Sequence, residues 1–190
     1  MTGLYQAVMV LPAAELLDRY KLHQMLYDLF ERGAGDRDFL YALQPDGCLK
    51  VQSGRMPAHL RQVALPVELP PKGSEISFKI EIRAEYNSRR NGKRIHLPLL
   101  ATDEKRWRPW MQEKLRSAGI EPSNLFLDDY KVFDVNRPLG KVRDAFKVSH
   151  AVFIGTATVE DEVLLQSAMK NGIGRGKAYG AGLLNVSIKE

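Results

Sequence analysis

Apolar and polar residues alternate over nine positions in Ile76-Ser77-Phe78-Lys79-Ile80-Glu81-Ile82-Arg83-Ala84. That is the period of a strand with one face in a core. Leu4 to Leu11 reads as an earlier strand, stopped by Pro12. A helix is expected over about Ala13 to Phe30, where Leu22, Leu26, Leu29 and Phe30 share one face, and Gly33 and Gly35 end it. Two short strands, Arg37 to Leu43 and Cys48 to Gln52, flank the hairpin signal Pro45-Asp46-Gly47. Met56 to Val63 reads as a short helix with Pro57 at an early position. Leu65 to Leu69 reads as a short closing strand. The order is β-α-β-β-α-β, the ferredoxin-like arrangement, and Pro70-Pro71-Lys72-Gly73 reads as a connector.

The same order follows again after the connector. The strand at 76–84 leads into a polar insert that runs to about Arg94. A helix from Asp103 to Ala118 comes next, with Thr102 as its N-cap and Gly119 as its stop. Strands over Leu125 to Val135 and Ala145 to Thr158, a helix over Val159 to Lys170 and a strand over Ala181 to Ile188 complete it. The expected fold class is therefore α+β, with tandem ferredoxin-like (RRM-like) βαββαβ modules over 1–72 and 73–190. The repeat is one of element order, not of residue identity.

Composition narrows the function classes only a little. The chain has 190 residues, 44% of them hydrophobic, which is enough for a core. Lys and Arg number 28 against 23 Asp and Glu, a net charge of +5 whose placement matters more than its size. Cys48 is the single cysteine, so neither an internal disulfide nor a multi-cysteine zinc site is expected. His23, His59, His96 and His150 form no ligand spacing, and no metal or cofactor is expected. No stretch reaches the roughly 18 apolar residues of a membrane span. The first residues lack a signal-peptide pattern, which leaves a reduced, cytoplasmic setting as the expectation.

Three features carry candidate chemistry. In 171–184 five glycines, Gly172, Gly174, Gly176, Gly180 and Gly182, surround Arg175 and Lys177. Glycines allow close backbone approach, and successive N–H groups can cradle a phosphate; tight packing between a helix and a strand is the plainer alternative. The segment is neither a Walker A loop nor a dinucleotide fingerprint, since it lacks the Gly-Lys-Ser/Thr ending and follows a helix. Arg89, Arg90, Lys93 and Arg94 surround Asn91-Gly92, a basic hairpin suited to tracking an RNA backbone, or else a solubilising loop. Lys105, Arg106 and Arg108 would widen that basic surface, while packing of the helix is the expected role of at least one of Trp107 and Trp110. Tyr20 and His23, three apart on the first helix, can be neighbours. His23 lies on the shoulder of the apolar face, where an imidazole could move protons or simply be half-buried.

The chain resembles the Cas6 family of CRISPR RNA-processing endoribonucleases, in its Cas6e (CasE) type of type I-E systems. The likeness runs through Tyr20-x-x-His23-Gln24-x-Leu26-Tyr27-x-Leu29-Phe30, Asp38-Phe39-Leu40-Tyr41 and Val51-Gln52-Ser53-x-x-Met56-Pro57. It continues in Lys93 to Leu99 and in Gly172-Ile173-Gly174 through Leu184. The resemblance implies two ferredoxin-like domains and cleavage of precursor RNA at the 3′ side of the repeat hairpin. It also implies retention of the mature guide RNA and assembly with other Cascade subunits. His23 matches the family's catalytic histidine and Tyr20 its companion tyrosine; Lys177 fits the glycine-loop pattern better than Arg175 does. The implied reaction is attack by the substrate's own 2′-OH. A guide-RNA scaffold that no longer cuts is the alternative, and a small nucleotide-binding protein is a third reading.

Overall fold

A computed structural model describes residues 3–12, 18–30, 38–44, 46–90, 93–139 and 142–189; for 87, 89–90, 93–96, 136–139 and 142–145 it describes the backbone alone. Two four-stranded antiparallel sheets organise the chain. The first is built from β1 (Tyr5–Val10), β2 (Phe39–Leu43), β3 (Cys48–Ser53) and β4 (Leu65–Pro66), in the order β2-β3-β1-β4. The second uses β5 (Glu75–Arg83), β8 (Ile120–Leu139), β9 (Val142–Val159) and β10 (Leu184–Ile188), in the order β10-β5-β9-β8. Counted within each half, both orders are 4-1-3-2, so the topology is ferredoxin-like twice over. β6 (Glu85–Arg90) and β7 (Lys93–Pro98) form a separate hairpin after β5.

Helix α1 (Arg19–Leu29) starts where the Asp18 carboxylate accepts the N–H groups of Tyr20 and Lys21 at 3.0 and 3.1 Å. The expected start at Ala13 falls in 13–17, outside the described residues. Leu22, Leu26 and Phe30 pack on Phe39, Tyr41, Leu49 and Val51 of the first sheet. Each such side chain contributes about 1.5–3 kcal/mol on burial. The expected second helix of this half shrinks to a single 3-10 turn, Ala58–Leu60, and β4 ends at Pro66 rather than Leu69.

In the second sheet, the alternation along β5 sends Ile76, Phe78, Ile80 and Ile82 into the core beneath helix α2 (Glu104–Arg116) and helix α3 (Glu162–Asn171). Glu81 and Arg83 take the other parity. Asp103, not Thr102, occupies the N-cap position of α2. Asp161 caps α3, accepting from Val163 and Leu164, so this helix starts three residues later than expected. β8 and β9 are longer than their alternation indicates and pair from Ile120↔Val159 out to Leu139↔Val142.

The two halves are tied through specific groups. Tyr41 donates its hydroxyl to the Ala178 carbonyl at 2.6 Å. Gln52 reaches the Met169 carbonyl at 2.5 Å, and Lys50 the Asn185 side chain at 2.9 Å. Leu40 and Ala42 pack on Leu183. Removing the first of these ties, Tyr41→Phe, should cost about 1 kcal/mol. A chemical-denaturation midpoint that falls with an unchanged slope is the expected signature; an unchanged midpoint would count the bond as energetically silent.

Candidate functional site

The candidate site forms where α1 meets the second half of the chain. Tyr20 and His23 are one helical turn apart and both half-buried. Tyr20 joins a small cluster with Val135 and Val148 of the β8–β9 ribbon, Tyr179 and Ala178 of the glycine-rich segment, and Phe133 and Phe146. Its hydroxyl accepts a hydrogen bond from Gln24 Nε2 at 3.1 Å. The His23 ring meets Tyr27 edge-on, with centroids 4.5 Å apart, and Tyr27 in turn meets Phe39 at 5.4 Å. On the helix side, His23 is thus held by aromatic packing and Tyr20 by Gln24.

Next to Tyr20, the Arg19 side chain is only 12% exposed and enters the joint between the two halves. Its guanidinium lies 3.8 Å from Glu81 Oε1 and 5.5 Å over the Phe133 ring. Glu81 Oε1 also meets His150 Nδ1 at 2.7 Å, and His150 is 0% exposed. The register explains that pair, because Arg83 stands opposite His150 and Glu81 opposite Val152, making Glu81 and His150 diagonal neighbours.

Burial pushes the His150 pKa down; Glu81 pulls it up, but Arg19 and Arg83 push with burial, and the net direction is below the ordinary 6.5. For Glu81, burial pushes the pKa up, but the His150 hydrogen bond and the His150, Arg19 and Lys131 charges outweigh it and carry the pKa below 4.5. We read the cluster as a carboxylate held by Arg19 and by a neutral imidazole donating Nδ1–H.

The glycine-rich segment wraps this joint. All five expected glycines have positive φ. The need is sharpest at Gly182 (φ +91), where a Cβ would lie 2.8 Å from the Ile173 carbonyl oxygen; at Gly180 (φ +84) it would lie 2.8 Å from Arg19 Nη1 and 3.0 Å from a Tyr41 ring carbon. The segment also closes on itself and on β5, with Ile173 N–H donating to the Gly182 carbonyl at 2.9 Å and Gly182 N–H to the Glu81 carbonyl at 2.7 Å. Packing therefore accounts for much of the glycine content. Lys177 starts the 3-10 turn Lys177–Tyr179 and is half-buried, while Arg175 is exposed.

The other expected binding residues divide. Arg89 stands opposite Arg94 and Arg90 opposite Lys93 on the β6–β7 hairpin, whose turn at 91–92 lies outside the described residues. Lys105 is exposed. Arg106 is engaged by Asp103 at 3.2 Å and by the Tyr86 hydroxyl at 2.9 Å. Arg108 is engaged by Glu104 and by the Leu125 carbonyl at 2.9 Å. These two cations are committed to groups on or beside their own helix. Trp107 is buried against Phe153. Arg19, Gln24, Tyr27, Glu81 and the ribbon aromatics were missed from the sequence. For Arg19 the signal was adjacency to Tyr20; for Glu81 and His150 nothing in either local pattern links them.

The pKa directions fix the sign of a pH dependence. Both groups titrate lower in the folded chain than in the unfolded one, so their contribution to stability is complete above about pH 6.5. It is lost as pH falls through the His150 range and then the Glu81 range. The melting temperature should therefore fall between pH 7 and 5. His150→Asn, which keeps a donor but removes the titrating ring, should flatten that fall; parallel curves for the two proteins would discount His150.

Comparison with known proteins adds the family. The family model described as "CRISPR associated protein" matches residues 7–187. The Cascade subunit CasE of Escherichia coli (strain K12) is 27% identical over 205 aligned positions, covering 97% of this chain and 99% of that one. Thermus thermophilus Cse3 bound to an RNA representing a pre-cleavage complex superposes with a TM-score of 0.78 at 21% identity, over 97% of this chain and 99% of that one. Cas6e from E. coli K-12 superposes with a TM-score of 0.64 at 24% identity, over 96% and 98%.

Proposed function

Because the chain belongs to the CRISPR-associated protein family, we propose that it is a Cas6e-type endoribonuclease. It cuts CRISPR precursor RNA at the repeat hairpin, retains the mature guide RNA and joins the other subunits of a Cascade complex in a reduced, cytoplasmic setting. Its two sheets correspond to two domains divided near residue 72. The observation that carries this reading is the pairing of Tyr20 and His23 on a helix docked against the glycine-rich turn and the β8–β9 ribbon. The fold match to a Cse3 solved with RNA supports it.

The reaction is an internal transesterification. The 2′-oxygen of the nucleotide before the scissile bond forms a bond to the adjacent phosphorus while the bond from phosphorus to the 5′-oxygen breaks. The 2′-OH loses its proton and the departing 5′-oxygen gains one, giving a 2′,3′-cyclic phosphate and a 5′-hydroxyl. His23 takes the first proton or supplies the second. Tyr20 orients the attacking or leaving oxygen. Lys177, held at the turn beneath Tyr20, clamps the phosphate and offsets its developing charge. The basic hairpin grips the RNA stem through its phosphates. Arg89 stands opposite Arg94 and Arg90 opposite Lys93 in the backbone register, so the hairpin offers an anionic stem four cationic residues together.

His23→Ala should lower single-turnover cleavage by about 100- to 10,000-fold and leave the dissociation constant for the hairpin within a few fold; equal loss of both would mean structural damage. Cleavage should persist in EDTA and stop on RNA carrying a 2′-deoxy substitution at the cut. A chain that binds the hairpin tightly but cuts neither RNA is a scaffold. Neutralising Arg89, Arg90, Lys93 and Arg94 together should weaken hairpin binding and flatten its dependence on salt, since fewer counterions are released. An unchanged salt slope would remove the hairpin from the interface.

A further inference from the structure

Glu81 touches the elements on both sides of Tyr20 and His23. Its side chain leaves the face of β5 opposite to the α2–α3 core and enters the joint between the two halves. There Oε1 meets Arg19 of α1 and His150 of β9. Its main-chain carbonyl accepts the Gly182 N–H, which holds the end of the glycine-rich segment against β5. Helix, ribbon and glycine-rich segment are thus fastened to one residue of the second sheet.

Arg19 is the arm through which this carboxylate acts on the helix. Residues three and four apart share a helix face, so His23 neighbours Arg19 as well as Tyr20. Glu81 is the one carboxylate that Arg19 meets among the described residues, and Arg19 Nη1 has no hydrogen-bond partner among them. That nitrogen is closed in by the glycine-rich segment, where a Cβ on Gly180 would lie 2.8 Å away. The guanidinium also covers the Phe133 ring at 5.5 Å. Phe133 in turn meets His150 edge-on, with centroids 4.8 Å apart, and packs on the cluster that holds Tyr20. A guanidinium so enclosed stays in the joint only while its counter-charge is there, because an unpaired buried charge is costly. Without the Glu81 charge it would turn out to water and take the first turn of α1 with it.

We propose that Glu81 is a positioning residue for the cleavage reaction, setting through Arg19 where the first turn of α1 places Tyr20 and His23. This role rests on the reading of those two residues as the pair at the scissile phosphate. Glu81 works at one remove from the RNA: its carboxylate is nearly buried and is engaged by Arg19 and by the wholly buried His150. In-line attack needs the reacting atoms aligned at about 3–3.5 Å, and a misplacement of about 1 Å imposed from a distance can cost about 100-fold. Hairpin affinity, drawn from the basic hairpin, is insensitive to such a shift.

Glu81→Gln keeps the size of the side chain and an oxygen for His150 but removes the charge that Arg19 needs. Arg19→Met removes the cation and keeps an apolar stem. Each should slow single-turnover cleavage at saturating repeat hairpin by about 10- to 100-fold, with the dissociation constant within a few fold of wild type. The double variant should be no slower than the slower single one, since both changes break the same contact. Arg19→Lys, which can still reach the carboxylate, should recover most of the rate that Arg19→Met loses. Thermal unfolding curves set an assay temperature at which every variant is folded. Wild-type rates in both single variants, losses that multiply in the double variant, a lysine that rescues nothing, or equal loss of binding and cleavage would overturn the positioning role and leave the nuclease reading standing. A wild-type chain that does not cut, or that cuts as fast after His23→Ala, would overturn both.

Discussion

The buried contact of Arg19 with Glu81, backed by His150, is the constraint on which the geometry of the site depends. α1 belongs to the first half by its Leu22–Leu26–Phe30 face, yet Tyr20 must meet the ribbon and glycine-rich turn of the second. Arg19 is the first residue of that helix, so anchoring it to β5 sets both the rotation and the height of the helix against the second sheet. Two buried charges are costly to desolvate. The same expense makes the arrangement specific, because a rotated helix would leave the guanidinium without its carboxylate and Glu81 with His150 alone. Conformational specificity is the role we assign to this pair, more than net stability.

Around that anchor the glycine-rich segment has two duties. Its inner side fills the seam between the halves, where Gly180 admits Arg19 and Tyr41, and Gly172 lies against Leu40. Its outer side carries Lys177 and Arg175 between glycines of positive φ. A flexible loop could present the same cations, but it would lose entropy on ordering around a substrate. Here folding has already ordered them, through the bonds from Ile173 to Gly182 and from Gly182 to Glu81. Packing and the proposed phosphate contact are therefore compatible, because the packing holds the backbone that carries those cations.

Much of the fold was legible in the sequence because it is written in local periods. The alternation of 76–84 and the apolar face of α1 gave strand and helix where they occur, and the element order gave the doubled topology. What misled was competition at element ends. Asp103 and Asp161 stand at the helix starts, where Thr102 had been expected to cap α2 and Val159 to begin α3. Asn136-Arg-Pro-Leu139 has no alternation, yet pairing across the ribbon carries β8 through it. Of the candidate site, Tyr20, His23 and the glycines were legible from spacing and resemblance. Glu81 and His150 were not, since their meeting is 69 residues long in sequence and is made only by strand register.

Charge was the least faithful guide, for a physical reason. A run such as Lys105-Arg106-Trp107-Arg108 looks like a basic surface when only its cations are counted. On a helix each residue faces those three and four positions away, so Asp103 engages Arg106 and Glu104 engages Arg108. Lys114, by contrast, is an unremarked lysine in the sequence, yet the fold half-buries it with its ammonium over the Trp110 ring, and burial lowers its pKa. Only the tertiary structure separates such a lysine from cations already answered by a carboxylate on the next turn.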